Sequence, residues 1–377
     1  MPERGAKQKN IFLRWFSLCP VRHIIALAGL VLTLAYFALR GNFALMTWLC
    51  AHVTRPWHRF SAHALNGLPF SMAGVLIAAA ILGFLAYLVF GIVTAVRRGG
   101  WFLRVYRIFI TAAAIALAVY AGFCILWGVY YYTSDFETQS GIYSQPVSTE
   151  QLESVTHYFA RMVNEYGEQV HRDENGFFDE DMDAVFAASA TLYNEVEHLV
   201  PCLSGDELRA KPFMFSKAMS YLNFTGFFFP FTGEANINID SPACLIPSTI
   251  AHELAHQRGV AAEDEANFAA VIACLENGNP VYCYSACLLA YIHLGNALYR
   301  ADHDAWSEVY SILSDDVKAD LSANNRYWEK YETPVSAVSD TVYTGFLHSY
   351  GQTLGLQSYG ACVDLLVAYY YDISVVG

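Results

Sequence analysis

The stretch Ser248 to Phe268, "STIAHELAHQRGVAAEDEANF", combines residue types that bind metal ions in proteins. His252 and His256 are four residues apart, so on a helix their imidazoles project from one face and can bind the same ion at about 2.0–2.1 Å. Glu253 follows the first histidine, where a carboxylate can take a proton from a metal-activated water without binding the ion. The pattern predicts a zinc-dependent hydrolase with Glu253 as general base and then acid.

A catalytic zinc site needs a third protein ligand. The spacing matches the start of the metzincin pattern, but Ala262 stands where that group places its third histidine. The stretch resembles the thermolysin-like gluzincins instead, whose third ligand is a glutamate on the following helix and whose first histidine is oriented from four residues beyond it. This resemblance implies Glu263 as the ligand and Asn267 as the partner of His252. Glu265 stays a second candidate, although the residue four positions after it is an alanine.

The acids after the histidines also have a simpler interpretation. Glu263, Asp264 and Glu265 could be the acid-rich first turn of the next helix, where carboxylates favour the helix dipole. Only six residues separate His256 from Glu263, so the chain must reverse sharply at Gly259, a residue suited to the left-handed position after a helix. The acids follow the histidines so closely that the metal interpretation is favoured.

The resemblance implies a strand that binds the substrate. Zincins add a peptide to the edge of a small sheet just upstream of the active helix. The only strong strand signal, Phe227 to Asp240, alternates apolar and polar residues in its second half. An edge strand over Gly233 to Asp240 is therefore expected, and an ordinary hairpin strand is equally compatible. The expected substrate-binding residues are Gly233, Ala235, Asn236, Ile237 and Asn238.

Gluzincins also use a downstream tyrosine or histidine to stabilise the developing oxyanion. Tyr359 is the first choice here, because Gly360 leaves its surroundings open. The other candidates are Tyr343, Tyr291 and His293.

The N-terminal third of the chain has the composition of a membrane anchor. Residues 1–133 hold 12 of the 22 basic residues and one of the 35 acids, whereas the remainder is strongly acidic. Three stretches, 24–39, 70–96 and 108–132, meet the length and polarity of a membrane span. Basic residues precede the first stretch and separate the second from the third, so these segments are expected in the cytoplasm and the C-terminal domain outside it. An acidic domain argues against a nucleic-acid partner.

The sequence from 134 to 149 reads as a linker, and residues 150–377 as one domain. Ser148 and Gln151 form a capping box that starts a helix running toward Glu165. Further helices are expected over 179–199, 217–223, 304–322, 335–350 and 359–371. Six of the nine cysteines lie in this domain, and both disulfides and buried thiols are compatible with the sequence.

The order of these parts resembles a bacterial domain-of-unknown-function family with three N-terminal spans and an ectodomain carrying "PFTGEANINID", "HELAHQRG", "EDEANF" and the tail "VYTGFLHSYGQTLGLQSYG". The resemblance implies a mainly α fold: three transmembrane helices, then a zincin-like α+β ectodomain with a small sheet. The expected function is a membrane-anchored zinc metallopeptidase acting on a peptide or protein near the membrane surface. The alternative is a catalytically silent zincin-like ectodomain that serves as a sensor or assembly partner.

Overall fold

The computed structural model describes residues 15–350 and 359–376. It is mainly helical, with one small sheet. The chain forms two compact units: residues up to 54 with 75–132, and residues 55–74 with 133 onward. The N-terminal helices are α1 (Pro20–Leu39), α2 (Phe43–Leu49), α3 (Arg55–Leu65), α4 (Met72–Arg98) and α5 (Trp101–Leu126), with a π-helical turn at Cys50–Thr54 and a 3₁₀ turn at Gly128–Tyr132.

The second unit contains the remaining elements. The first group is α6 (Phe136–Ser140), α7 (Thr149–Gly167), α8 (Met182–Ala188), α9 (Val196–Leu199), β1 (Lys211–Pro212), α10 (Ser216–Tyr221), β2 (Gly226–Phe229) and β3 (Glu234–Ile237). The second group is α11 (Ile246–Gln257), α12 (Glu263–Asn277), α13 (Pro280–Ala301), α14 (His303–Ser311), α15 (Asp315–Glu329), α16 (Pro334–Ser349) and α17 (Tyr359–Val376). Short 3₁₀ turns lie at Ser189–Thr191, Pro201–Leu203 and Ala243–Leu245.

Four helices within the described residues are long and apolar enough to cross a membrane: α1, α4, α5 and α13. The first three overlap the predicted stretches, although α5 starts at Trp101 and ends at Leu126, earlier than expected. In the first unit α1 packs closely on α5, where a Cβ on Gly29 would lie 2.8 Å from the Leu117 carbonyl carbon. Glycine is therefore required at this crossing.

Helix α13 is different, because most of its residues are buried inside the second unit. It packs against α7, α12, α14 and α17. Because protein covers most of this helix, apolar residues are needed on most of its surface, which explains its span-like composition. This helix was not among those predicted from the sequence.

The small sheet has the strand order β1, β3, β2, with β1 parallel and β2 antiparallel to β3. The predicted edge strand over 233–240 is therefore wrong in its position, because β3 is central and has a paired strand on each side. Ala235, Asn236 and Ile237 are fully buried in it, and Gly233 and Asn238 flank it. The long-range pairing with Lys211–Pro212 excludes the edge position, and a two-residue strand leaves no periodic signal in the sequence.

Residues 55–74 belong to the second unit, although the predicted anchor covered 1–133 without a break. Hydrogen bonds attach these residues to the sheet of the second unit. Glu234 accepts backbone N–H bonds from Met72 (3.1 Å) and Ala73 (2.9 Å), and Lys211 donates to the Leu65 carbonyl (2.6 Å). These partners are more than 140 residues away in sequence, so no local sequence pattern predicts the contacts.

Several local predictions can be compared directly. The capping box of Ser148 and Gln151 is present and α7 follows it. The expected helix over 304–322 is interrupted at Ser314, which caps α15, because the Asn164 side chain bonds the backbone of Ile312 and Ser314 at the break. The expected helix over 179–199 is likewise broken, by a 3₁₀ turn at Ser189–Thr191.

The predicted linker contains α6, and it is partly packed into the domain. Phe136 at its start is buried, with 3% of its surface exposed. The segment from 134 to 149 is therefore structured in part. All nine cysteines are free thiols, and eight of them are buried.

Candidate metal centre

Two consecutive helices, α11 and α12, bring the predicted ligands together. Hydrogen bonds hold helix α11 near both of its ends. The Ser248 N–H donates to the Ser285 hydroxyl of α13 at 2.9 Å, and the Gln257 side chain donates to the Gly233 carbonyl at 2.7 Å. The alanine, leucine and isoleucine residues of this helix are buried on its other faces. The histidine-bearing face is thus held by the core of the unit.

Gly259 makes the turn between the two helices. Its φ of 95° lies in the left-handed region, which other residues rarely adopt. The Gly259 N–H bonds the His256 carbonyl and the Val260 N–H bonds the Ala255 carbonyl, which is the Schellman arrangement. The turn also aims the Val260 carbonyl at His256 Nδ1, 2.7 Å away.

The three ligand atoms converge on one point. Glu263 Oε2 lies 3.1 Å from His252 Nε2 and 3.6 Å from His256 Nε2. Ligands placed tetrahedrally around an ion at 2.0–2.1 Å would be about 3.3 Å apart. Among the described residues these three form the group of histidine, cysteine and acidic side chains close enough to hold a metal ion. The donor set therefore fits zinc.

Hydrogen bonds fix the tautomer of each imidazole. His252 Nδ1 lies 2.9 Å from the Asn267 side-chain oxygen, and His256 Nδ1 bonds the Val260 carbonyl. Both oxygens only accept, so each Nδ1 carries the proton and each Nε2 lone pair faces the ligand point. Such outer partners orient metal-binding histidines.

The two candidate carboxylates point in different directions. Glu263 reaches the histidines, whereas Glu265 Oε1 accepts the Phe136 N–H at 3.1 Å. Both residues belong to the first turn of α12, as the simpler interpretation required, but only Glu263 also faces the imidazoles. Burial raises the pKa of Glu265 to about 8.

The charges at the centre favour a cation. Burial works against ionisation of Glu263, but His256 and His252 outweigh it and hold its pKa well below the usual range. Burial likewise opposes protonation of His256, yet Glu263 raises the pKa of this imidazole to about 9. The carboxylate thus attracts a positive charge, a proton or a metal ion, to the point between the rings.

Glu253 lies in the same helix with 3% of its surface exposed. Burial raises its pKa to about 7, against the opposing effect of the two histidines. Its Oε2 atom is buried and has no hydrogen-bond partner in the part of the chain that the structure describes. Buried carboxylate oxygens are nearly always bonded, so an unpartnered one marks a position for a ligand or water.

Gly226, the first residue of β2, lies directly against Glu253. A Cβ at this position would be 2.5 Å from Glu253 Oε1. Only glycine lets the strand pass this close to the carboxylate. Gly226 was not among the residues predicted from the sequence, where the one available signal was a glycine at the start of an aromatic strand.

Helix α16 supplies a further contact. The Tyr343 hydroxyl donates to Glu263 Oε1, the carboxylate oxygen that does not face the histidines. The Tyr343 ring packs edge-on against Phe224 just before β2, with centroids 5.3 Å apart. Tyr343 was among the oxyanion candidates, but its observed contact is with Glu263, the predicted third metal ligand.

The other oxyanion candidates are in different surroundings. Burial, with a smaller contribution from His252, lowers the pKa of His293 to about 4 and keeps this imidazole neutral. Tyr291 is 3% exposed, and its hydroxyl has no hydrogen-bond partner among the residues described. Tyr359 begins α17, but its side chain lies outside the described residues.

Residues 52–367 match a family model described as "Protein of unknown function (DUF3810)". Searches of curated proteins and of solved structures find no match. The matched range includes α4, α5, the segment 55–74 and every residue of the candidate metal centre. The predicted resemblance to an uncharacterised family is confirmed: the chain belongs to the DUF3810 family of proteins of unknown function.

Proposed function

We propose that this protein is a membrane-anchored, zinc-dependent metallopeptidase. The observation that carries the proposal is the convergence of His252 Nε2, His256 Nε2 and Glu263 Oε2 at distances suited to one tetrahedral ion. The side-chain exposures are 14%, 5% and 21%, so the ligand point is reached from solvent on the His252 and Glu263 side. A structural zinc site would be closed by a fourth protein ligand, and none is present among the described residues.

Zinc held by these ligands would supply Lewis acidity toward a water molecule and a peptide carbonyl. Glu253 accepts the proton of the attacking water on its unpartnered Oε2 and later gives it to the departing amine nitrogen. Asn267 and the Val260 carbonyl keep both imidazoles in the binding tautomer throughout. Tyr359 is our candidate for stabilising the oxyanion.

The observed strand order favours β2 as the strand that binds the substrate. β2 pairs with β3 on one side, and no other strand within the described range pairs with its second side. Because Gly226 of this strand touches Glu253, a peptide added to the open side of β2 would run past the catalytic carboxylate. We therefore assign substrate binding to Gly226–Phe229 instead of 233–238.

The membrane part of the proposal rests on α1, α4 and α5, which are long, apolar and mostly exposed along their lengths. Arginines 97, 98, 104 and 107 lie around the connection between α4 and α5, and basic residues also precede α1. By the positive-inside rule both segments are cytoplasmic, and the second unit is extracytoplasmic.

The test is the variant Glu253→Gln in the full-length protein, reconstituted in lipid nanodiscs and assayed with a peptide library. Loss of the general base should lower cleavage by about 10²–10⁴-fold while zinc content stays unchanged. Glu276→Gln, at an exposed position of α12, is the control and should retain full activity. Undiminished cleavage by Glu253→Gln would sink the mechanism, and zinc without cleavage in the wild type would favour the silent ectodomain.

A further inference from the structure

A continuous row of aromatic rings crosses the outer side of the sheet in the second unit. Phe215 contacts Phe213 (ring centroids 5.8 Å apart), Phe213 contacts Phe227 (4.9 Å), Phe227 contacts Phe229 (6.2 Å) and Phe229 contacts Phe231 (5.4 Å). We call these five residues the aromatic row. Four of them retain part of their surface exposed, and Phe213 is buried beneath them. Phe227 and Phe229 belong to β2.

Helix α3 extends the row at the Phe231 end. Trp57 Nε1 donates to the Phe231 carbonyl at 3.1 Å, and the Trp57 ring contacts Phe60. His58 and Ala62 of the same helix are buried. The other face of α3 therefore exposes Trp57 by 43% and Phe60 by 69%, which is unusual for large aromatic side chains in water.

The opposite end of the row meets the start of the apolar helix α4. A Cβ on Gly74 would lie 3.1 Å from the Met214 side chain and 3.3 Å from that of Phe213. Met214 is 52% exposed. From Met72 to Val96, α4 carries no charged residue. The row is thus continuous with the point where the chain enters a candidate membrane span.

Arginines accompany the exposed rings. Arg59, 69% exposed in its side chain, lies on α3 beside Phe60 and pairs with Asp206, and Arg55 is also exposed. Helices that lie in a membrane surface combine tryptophan and phenylalanine on one side with arginine or lysine on the other. Arginine side chains reach from such a position to the lipid headgroups.

We propose that the aromatic row, with Trp57, Phe60 and Met214, is a lipid-contact surface that lies at the membrane–water interface. This inference depends on α4 being a span and not on the proposed peptidase activity. It places the outer face of β2 against the lipid headgroups. A polypeptide bound to the open side of β2 would then be one that lies at, or emerges from, the bilayer surface.

The experiment uses the full-length chain in vesicles of phosphatidylcholine and phosphatidylglycerol. The photoreactive residue benzoylphenylalanine replaces Phe60 or Met214, two exposed positions at opposite ends of the surface, so neither change disturbs the core. Phe90, 66% exposed in α4, is the positive control. Tyr299, 50% exposed on α13 and in ring contact with His303 and Trp306, is the negative control.

After illumination, lipid adducts are measured by mass spectrometry. The proposal expects adducts at positions 60 and 214 at a yield within a few-fold of that at position 90, and a yield at position 299 at least tenfold lower. A yield at 60 and 214 as low as at 299, with position 90 labelled, would overturn it. Crosslinks from 60 and 214 to a second copy of the chain in place of lipid would also overturn it and would identify a dimer surface.

Discussion

The second unit contains two polar clusters, one within the small sheet and one beside it, and they differ in how completely their atoms are bonded. Lys211 and Glu234 form an ion pair of 2.9 Å in which the ammonium also bonds a carbonyl and the carboxylate also accepts two backbone N–H groups. At the candidate metal centre two imidazole nitrogens and a carboxylate oxygen face one another, and Glu253 Oε2 has no partner among the described residues.

This difference is the one expected between a cluster that only stabilises the fold and a site that binds a ligand. The Lys211–Glu234 pair connects residues 55–74 to the sheet, and its charged atoms all have partners within the protein. The candidate metal centre brings together electron-pair donors that lack a full set of partners within the protein. Such an arrangement lowers the stability of the fold unless a ligand binds. Substitutions in the Lys211–Glu234 pair should therefore change stability, whereas substitutions at the candidate metal centre should change zinc binding or cleavage.

The largest effect on stability is expected for Lys211→Met. It leaves the Glu234 carboxylate buried without its countercharge, which should lower the free energy of unfolding by about 3–5 kcal/mol. Chemical unfolding of the full chain in detergent measures this, and zinc content should not change. The double variant Lys211→Met/Glu234→Gln should recover part of the loss, because the glutamine carries no charge and its single amide oxygen can still accept one of the two N–H bonds, from Met72 or from Ala73. A loss of zinc in Lys211→Met would erase the distinction between the two clusters.

Gly226→Ala should affect activity more than stability. The added methyl group would meet the Glu253 carboxylate and displace it, and a misplaced catalytic group can cost about 10²-fold in rate. Peptide cleavage and zinc content are measured in the variant and in the wild type. Only cleavage should be lower in the variant. Gly278→Ala, at a left-handed position with open space around it, is a control for general glycine effects. Full cleavage by Gly226→Ala would show that β2 does not constrain Glu253.

Tyr343→Phe should have a smaller effect, on metal affinity. Removal of the hydroxyl takes away the bond to Glu263 Oε1, and such outer contacts are worth about 10–100-fold in metal affinity. A zinc-chelator competition measures the change. Tyr299→Phe, on an exposed tyrosine, should leave affinity unaltered. An unchanged affinity in Tyr343→Phe would mean that the α16 contact does not support the centre.

The sequence predicted features that are determined locally. A capping box starts α7, and Gly259 turns the chain between two helices, because each depends on residues within one or two turns. His252 and Asn267 are 15 residues apart, and their contact was accessible through the resemblance to gluzincins.

Features set by distant contacts were missed or placed wrongly. The central position of β3 depends on Lys211–Pro212, and the attachment of 55–74 depends on Glu234. Most of helix α13 is buried and its apolar residues are not confined to one face, so it lacks the amphipathic period that identifies a surface helix. Tyr343 reaches Glu263 across 80 residues, which no spacing rule anticipates.

The most direct test of the metal centre is the zinc content of three purified full-length proteins: the wild type, Glu263→Gln and Glu265→Gln. Both substitutions replace a carboxyl group by an amide in the same helical turn, but only Glu263 faces His252 and His256. We predict about one zinc ion per chain in the wild type and in Glu265→Gln, and a large loss in Glu263→Gln. Zinc retained in Glu263→Gln, or absent from the wild type, would contradict the assignment.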